Sequence, residues 1–92
     1  MSDNAIVAKA RETEPRPEVI IEALVDRVAE AVWMARPIAV TFMNACQYRR
    51  AMKEMNAGYA EIEKIRAIVA KQGLELKLGI EDGYPVGRFY RL

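Results

Sequence analysis

The last nineteen residues of the chain constrain its fold most, because they alternate in the way that a half-buried β-strand requires. Four aliphatic residues are separated by single polar residues or a glycine: Leu74, Leu76, Leu78 and Ile80. This period of two predicts a strand with one buried face. Residues 82–87 then turn the chain, and residues 88–92 run back. The sequence therefore predicts a closing β-hairpin with a glycine-flanked tip.

Residues 18–35 have the spacing of an amphipathic helix. Apolar side chains recur at intervals of three and four residues from Ile21 to Val32. Pro17 suits the first helical turn, where its missing N–H is not needed, and Pro37 ends the helix because the residue before a proline avoids helical angles. The apolar stripe is wide, which favours burial against two neighbours or a dimer seam. The candidate self-association surface is Ile20, Leu24 and Trp33.

The middle of the chain predicts a short strand followed by helix. Residues 38–43 are β-branched and aromatic, which is typical of a strand buried on both faces. Asn44 and Gln47 have the spacing of a capping box at a helix start. Helical spacing then continues to residue 72, with Gly73 as the C-terminal cap. Because Gly58 interrupts the pattern, we favour two helices or a kinked one over a single helix.

These elements predict an α+β fold in the order α-β-α-(α)-β-β. The helices should pack on a small three-stranded, mostly antiparallel sheet. Residues 1–16 are small and polar and reach Pro15, so we expect a mobile N-terminal arm. Residues 17–92 should form a single domain, since 92 residues suffice for only one.

Composition excludes several kinds of chemistry. The chain has no histidine, the usual general base and the commonest metal ligand. Its single cysteine, Cys46, allows no internal disulfide and no thiolate metal site. Cys46 lies in a predicted first helical turn, where a thiol can be activated, but without a histidine base we expect it to be buried and inert. The sequence therefore predicts no enzyme, no cofactor and no metal.

Hydrophobicity predicts a cytoplasmic protein with no membrane partner. No apolar run reaches the roughly 20 residues that a membrane-spanning helix needs. The N-terminal residues lack the charged and apolar regions of a signal peptide.

The charge is nearly balanced, at +1, but it is unevenly distributed. Residues 1–43 carry five basic and seven acidic side chains, whereas residues 44–92 carry nine and six. The C-terminal half is therefore the better candidate for contact with an anion. The candidate nucleic-acid or partner surface comprises Arg49, Arg50, Lys53, Lys64, Arg66, Tyr84, Arg88 and Arg91. The alternative is that these residues are two solvated helix faces with tyrosines at the edge of the core.

Residues 83–92, Gly-Tyr-Pro-Val-Gly-Arg-Phe-Tyr-Arg-Leu, resemble the glycine turn and Tyr-Arg-Leu strand that close many winged helix-turn-helix regulators. Residues 65–73 are similar to the end of their recognition helix, and the element order also matches. The resemblance covers about half of the chain, and it implies a helix in the DNA major groove with a wing on the phosphates. With Gly58 as the tight-turn glycine, Lys64 stands where that family has an apolar residue.

Two functions follow from these features. The first is a small non-catalytic domain that binds another protein as a regulator or inhibitor, favoured by near-neutral charge and abundant aliphatic surface. Compact histidine-free chains of this kind are common among virus- and plasmid-encoded inhibitors, which is an analogy of type rather than of motif. The second is a winged-helix DNA-binding transcriptional regulator. A homodimer is compatible with either function.

Overall fold

The computed structural model describes residues 14–92. Residues 1–13, which make up most of the predicted N-terminal arm, lie outside the described residues. The elements are β1 (Glu18–Val19), α1 (Glu22–Met34), α2 (Ala45–Ala70), β2 (Leu74–Glu81) and β3 (Tyr84–Arg91). The three strands form one antiparallel sheet in the order β1-β3-β2. The predicted α+β class, with helices on a three-stranded antiparallel sheet, is confirmed.

The closing hairpin has the shortest connection that two antiparallel strands can use. Asp82 and Gly83 both have positive φ, at 52° and 81°, which is the conformation of a two-residue turn that matches strand twist. Glu81 therefore pairs with Tyr84, and the ladder continues without interruption to Leu74 and Arg91. The turn is shorter than the predicted segment 82–87, because residues 84–87 already belong to β3.

The predicted third strand, residues 38–43, is wrong. This segment is the connection between α1 and α2, and Phe42 within it is 98% exposed. β-propensity describes the fit of a side chain to a sheet surface, and none of the strands within residues 14–92 pairs with this segment. The third strand is instead β1, whose residues Glu18 and Val19 pair with Tyr90 and Phe89. The first helix consequently begins at Glu22 and not near Pro17.

Residues 45–70 form one helix, so the predicted division into two helices at Gly58 is wrong. The capping box at its start is confirmed: the Gln47 N–H donates to Asn44 Oδ1 at 2.8 Å, and the Asn44 N–H donates to Gln47 Oε1 at 3.1 Å. At its other end, Gly73 has a φ of +73° and leads directly into β2. Packing explains why a glycine occupies position 58, because a Cβ there would lie 2.6 Å from the Ala35 backbone nitrogen.

The core lies between the two helices and one face of the sheet. The helix α1 packs on β3, and α2 packs on β2. The most deeply buried side chains are Ile62, Ile65 and Val69 of α2. They meet the buried strand residues Leu74, Leu76 and Phe89 and the α1 residues Leu24, Val28, Ala31 and Val32.

Gly87 allows α1 to approach the sheet closely. A Cβ at Gly87 would lie 2.7 Å from Val28 Cγ1 and 3.1 Å from Leu76 Cδ1. Contacts this short are not tolerated in a packed core, so a larger residue would push α1 away from β3. The glycine thus sets the distance between the helix layer and the sheet.

Candidate functional site

An apolar groove lies between the distal half of the hairpin, the C-terminal end of α1 and the middle of α2, and we call it the tip groove. It consists of two neighbouring depressions that share Arg36, Pro37, Ile80 and Pro85. Its other principal lining residues are Trp33 at the end of α1, Tyr59 of α2, and Leu78 and Tyr84 of the hairpin. The groove is therefore formed by residues of both helices and of the hairpin.

The floor of the tip groove is the part of the hairpin that the core does not cover. Leu78 and Ile80 share a strand face with the buried Leu76, but they are 43% and 56% exposed. Trp33, which lines the same groove, is 48% exposed. Burying such apolar surface is favourable by about 25 cal/mol per Å², so this surface has a driving force for contact with another molecule.

One wall of the tip groove is held in place by Arg36. Its guanidinium lies over the Trp33 ring, 4.1 Å from the ring centroid. The same side chain donates to the Trp33 carbonyl at 2.7 Å and to Glu54 Oε1 at 3.3 Å. These contacts fix both Arg36 and Trp33 before any partner arrives, which reduces the entropy lost on binding.

A second depression, the edge groove, lies between α1 and the open half of β3. It is lined by Ile20, Ile21, Val25 and Ala29 on the helix side and by Pro85 to Phe89 on the strand side. Because β1 pairs only with Phe89 and Tyr90, the rest of β3 has a neighbouring strand on the β2 side alone among residues 14–92. This depression also passes Glu18 and Arg88, which add two charged side chains to its lining.

The sheet face away from the helices carries charged residues around Tyr90. The Arg16 guanidinium lies 5.4 Å from the Tyr90 ring centroid, and the Lys77 ammonium lies 6.0 Å from it. Both cations reach Glu14: Arg16 Nε at 2.7 Å and Lys77 Nζ at 2.6 Å. The hydrogen bonds from Arg16 and then Lys77 lower the pKa of Glu14 from 4.5 to about 2.

Residues 14–16 belong to the predicted N-terminal arm, yet these contacts place them against the sheet. The mobility predicted for the arm stays a prediction.

Arg88 is engaged on the same face of the sheet. Its guanidinium donates to Glu81 at 2.7 Å and to Glu18 at 2.9 Å. The hydrogen bond to Glu81, followed by the one to Glu18, raises the pKa of Arg88 above its ordinary value. An arginine held by two carboxylates is poorly placed to contact a phosphate, because the partner would have to displace them.

The predicted basic surface is divided among separate parts of the molecule. Arg49, Arg50 and Lys53 are exposed in the first half of α2. Lys64 and Arg66 are exposed about 20 Å further along the same helix, by the rise of 1.5 Å per residue, and Arg66 pairs with Glu63 at 2.8 Å.

The remaining three residues of that predicted surface lie in the hairpin. Arg88 is paired as described, and Arg91 is exposed at the end of β3. Tyr84 is exposed at the hairpin tip and belongs to the tip groove.

The predicted self-association surface also needs correction. Leu24 is only 8% exposed and belongs to the core, because its helical position faces the sheet. Ile20 and Trp33 are exposed but lie at opposite ends of α1. Cys46, expected to be buried, is exposed near the start of α2.

Leu78 and Ile80 are the site residues that sequence reasoning missed. Their alternation with Leu74 and Leu76 assigns all four to one buried face, and periodicity alone does not show where the covering helix ends. One signal was present: Asp82 and Gly83 place Ile80 beside the turn, where a hairpin projects furthest from the elements that pack on it.

Comparisons with protein-family models, with curated proteins and with solved structures found no match to this chain. Within residues 14–92, no helix has the length and hydrophobicity needed to cross a membrane. The same residues hold no group of three or more Cys, Asp or Glu side chains placed to bind a metal ion.

Proposed function

We propose that this chain is a small non-catalytic domain that binds another protein through the tip groove and acts as a regulator or inhibitor. The observation that carries the proposal is that Ile80 and Trp33, each about half exposed, line the same depression. Exposed apolar patches with a polar rim are typical of protein interaction sites. The sequence expectation of a cytoplasmic protein belongs to the same proposal.

The residue types of the tip groove support a protein partner. Trp, Tyr and Arg dominate the binding energy of protein interfaces, and the groove presents Trp33, Tyr59, Tyr84 and Arg36. Arg36 is already stacked on Trp33, so the pair would bind as a preformed unit. A protein partner would bring an apolar side chain to Ile80 and a hydrogen-bond acceptor to the rim.

The test is a comparison of binding partners between the wild-type chain and two groove variants. Ile80→Asp places a charge on the groove floor, and Trp33→Ala removes its wall. We expect a partner captured from host lysate by the wild type to be reconstituted as a complex of purified proteins. Each variant should then weaken that complex at least about 30-fold, which corresponds to the roughly 2 kcal/mol of an interface hot spot.

Matched control variants separate groove binding from other surfaces. Arg49→Ala changes an exposed residue of α2, and Ile20→Ser changes the edge groove; both should leave the affinity within about threefold. Equal binding by wild type, Ile80→Asp and Trp33→Ala would contradict the proposal.

The winged-helix DNA-binding alternative stays a prediction, with its own test. Fluorescence anisotropy of the chain against a labelled mixed-sequence duplex, at low and physiological salt, measures it directly. DNA binding that weakens steeply with salt, and that Arg49→Ala or Arg50→Ala reduces for all sequences, would favour it over the protein partner.

A further inference from the structure

The outer edge of β2 is a long strand edge with no partner among residues 14–92. The sheet order is β1-β3-β2, so β2 lies at the margin and pairs on one side only. All eight residues from Leu74 to Glu81 are paired to β3 in an uninterrupted register. A regular edge of this length is a template for another strand.

The alternation of hydrogen bonds along β2 shows which residues direct their backbone N–H and C=O groups toward the open edge. The Leu92 N–H donates to the Gly73 carbonyl at 3.0 Å, so these two form a hydrogen-bonded pair. Such pairs alternate along an antiparallel ladder, and the odd-numbered residues of β2 therefore bond to β3. The residues whose N–H and C=O groups point outward are Leu74, Leu76, Leu78 and Ile80.

From this edge we infer that the chain forms a two-fold symmetric dimer in which β2 pairs antiparallel with β2 of a second copy. The pairing is centred on Leu76, which lies opposite Leu76 of the second copy. Leu74 then lies opposite Leu78 of the second copy. Each of these outward-facing pairs exchanges two backbone hydrogen bonds. The half-exposed Leu78 would then be covered by a leucine of the other subunit. This inference does not rest on the proposed function.

Charge selects this register over its neighbours. On the face away from the helices, centring on Leu76 places Glu75 opposite Lys77 of the second copy, twice by symmetry. A shift that centres the pairing on Lys77 brings two lysines together, and a shift to Leu78 brings Glu75 against Glu81. Like charges directly opposite each other are destabilising, whereas opposite charges stabilise a cross-strand pair.

One more register also pairs opposite charges, but the structure disfavours it. Centring on Gly79 places Lys77 opposite Glu81, yet Glu81 is already held by Arg88 through a 2.7 Å hydrogen bond. In that register the only hydrogen-bonded pairs between the two β2 strands would be Leu78 of each copy with Ile80 of the other. Both registers use Lys77, which also donates to Glu14 at 2.6 Å, so the carboxylate decides between them. Within residues 14–92, Glu75 has a single 3.5 Å contact with Arg16, so it can turn toward a lysine of the second copy.

The test measures molecular mass by sedimentation equilibrium on the full chain. The wild type should approach twice the 10.4 kDa of one chain as the concentration rises through the micromolar range. Leu78→Pro removes one outward N–H and no bond to β3, a change that edge strands tolerate. It should abolish the dimer, whereas Leu78→Ala, which keeps the N–H, should not. Circular dichroism and thermal melting confirm that each variant is folded.

Two charge reversals test the register itself. Lys77→Glu and Glu75→Lys each place like charges across the proposed seam, so each protein alone should be monomeric. When the two proteins are mixed, both cross-strand pairs again join opposite charges, and a heterodimer should form. A wild type that stays at 10.4 kDa throughout, a dimer that survives Leu78→Pro, or two reversal variants that remain monomeric when mixed would each overturn the inference.

Discussion

Gly58 of α2 lies against the backbone of Ala35, so closely that a Cβ on Gly58 would stand 2.6 Å from the Ala35 nitrogen. The same Cβ would be 2.8 Å from the Ala31 carbonyl oxygen. The backbones of the two helices are therefore in direct contact at this point, and the absence of a side chain at Gly58 permits it. Ala31 and Ala35, both buried and small, supply the other side of this contact.

The first prediction is that Gly58→Ala destabilises the fold. In an exposed helix this change would stabilise by up to about 1 kcal/mol. Here the added methyl meets backbone atoms that have no rotamer with which to move aside, so we expect a net loss of about 1–3 kcal/mol. Chemical denaturation measures the loss. As a control for helix propensity, Ala60→Gly on the exposed side of α2 should cost about 1 kcal/mol. An increase in stability for Gly58→Ala would contradict the packing argument.

The second prediction concerns the distance between α1 and the sheet. Gly87→Ala places a methyl 2.7 Å from Val28 Cγ1, and a β-branched side chain has little rotamer freedom to avoid it. We expect a loss of about 1–3 kcal/mol. Val28→Ala removes the opposing methyl groups, so the double variant should lose less than the sum of the two single losses, by about 0.5–3 kcal/mol. Denaturation of all four proteins completes the cycle; strictly additive losses would show that the two residues do not meet.

The third prediction separates the core from the tip groove. Ile65 is fully buried, so Ile65→Ala should cost about 2–5 kcal/mol in unfolding free energy. Ile80 is more than half exposed, and Ile80→Ala should cost less than about 1 kcal/mol. The contrast is measured by thermal or chemical denaturation of the two variants. A large loss for Ile80→Ala would mean that this residue holds the fold together, and the tip groove would lose its central residue as a binding site.

The fourth prediction is a pH dependence that arises from Glu14. The pKa of its carboxyl is about 2 in the folded chain, below its ordinary value of 4.5, because Arg16 and Lys77 donate to it. A lowered pKa means that this contribution to stability is complete above about pH 4.5 and disappears as the pH falls toward 2.

Glu14→Gln lacks this contribution at every pH. The difference in unfolding free energy between wild type and Glu14→Gln should therefore shrink as the pH falls from 4.5 to 2. Glu30→Gln, on the exposed side of α1, controls for the change in net charge. A difference that stays constant over this range would show that Arg16 and Lys77 do not hold the Glu14 carboxylate.

Local sequence patterns predict the parts of this fold that depend on interactions between residues close together in the chain. The alternation from Leu74 to Ile80 and the glycine-containing segment 82–87 predict the hairpin, because strand periodicity and turn signals act over a few residues. The prediction makes the turn longer than the two residues that the structure shows. The capping box at Asn44 follows for the same reason. The candidate site is different. Whether Ile80 is covered depends on where α1 ends and on how α2 lies relative to the hairpin, which no short pattern encodes.

The errors in the sequence interpretation have a common physical cause. Gly58 interrupts the helical pattern, which favours two helices or a kink, but its role is set by Ala35, which lies 23 residues away in sequence. Phe42 was expected in a strand because of its β-propensity, but β3 pairs instead with Glu18 and Val19. In each case a distant contact decides between two locally acceptable conformations.

Pro85 restricts the addition of further strands to the β2 margin of the sheet. The alternation that turns Leu76 and Leu78 outward on β2 places the Pro85 nitrogen on the opposite margin, beyond the reach of β1, where a proline has no hydrogen to offer. A chain that could add strands at both margins would polymerise without end. The β3 margin lacks an N–H donor at Pro85 and is partly covered by β1. Pairing two copies through β2 therefore gives a six-stranded sheet in which neither outer margin readily accepts a further strand, so the assembly ends at a dimer.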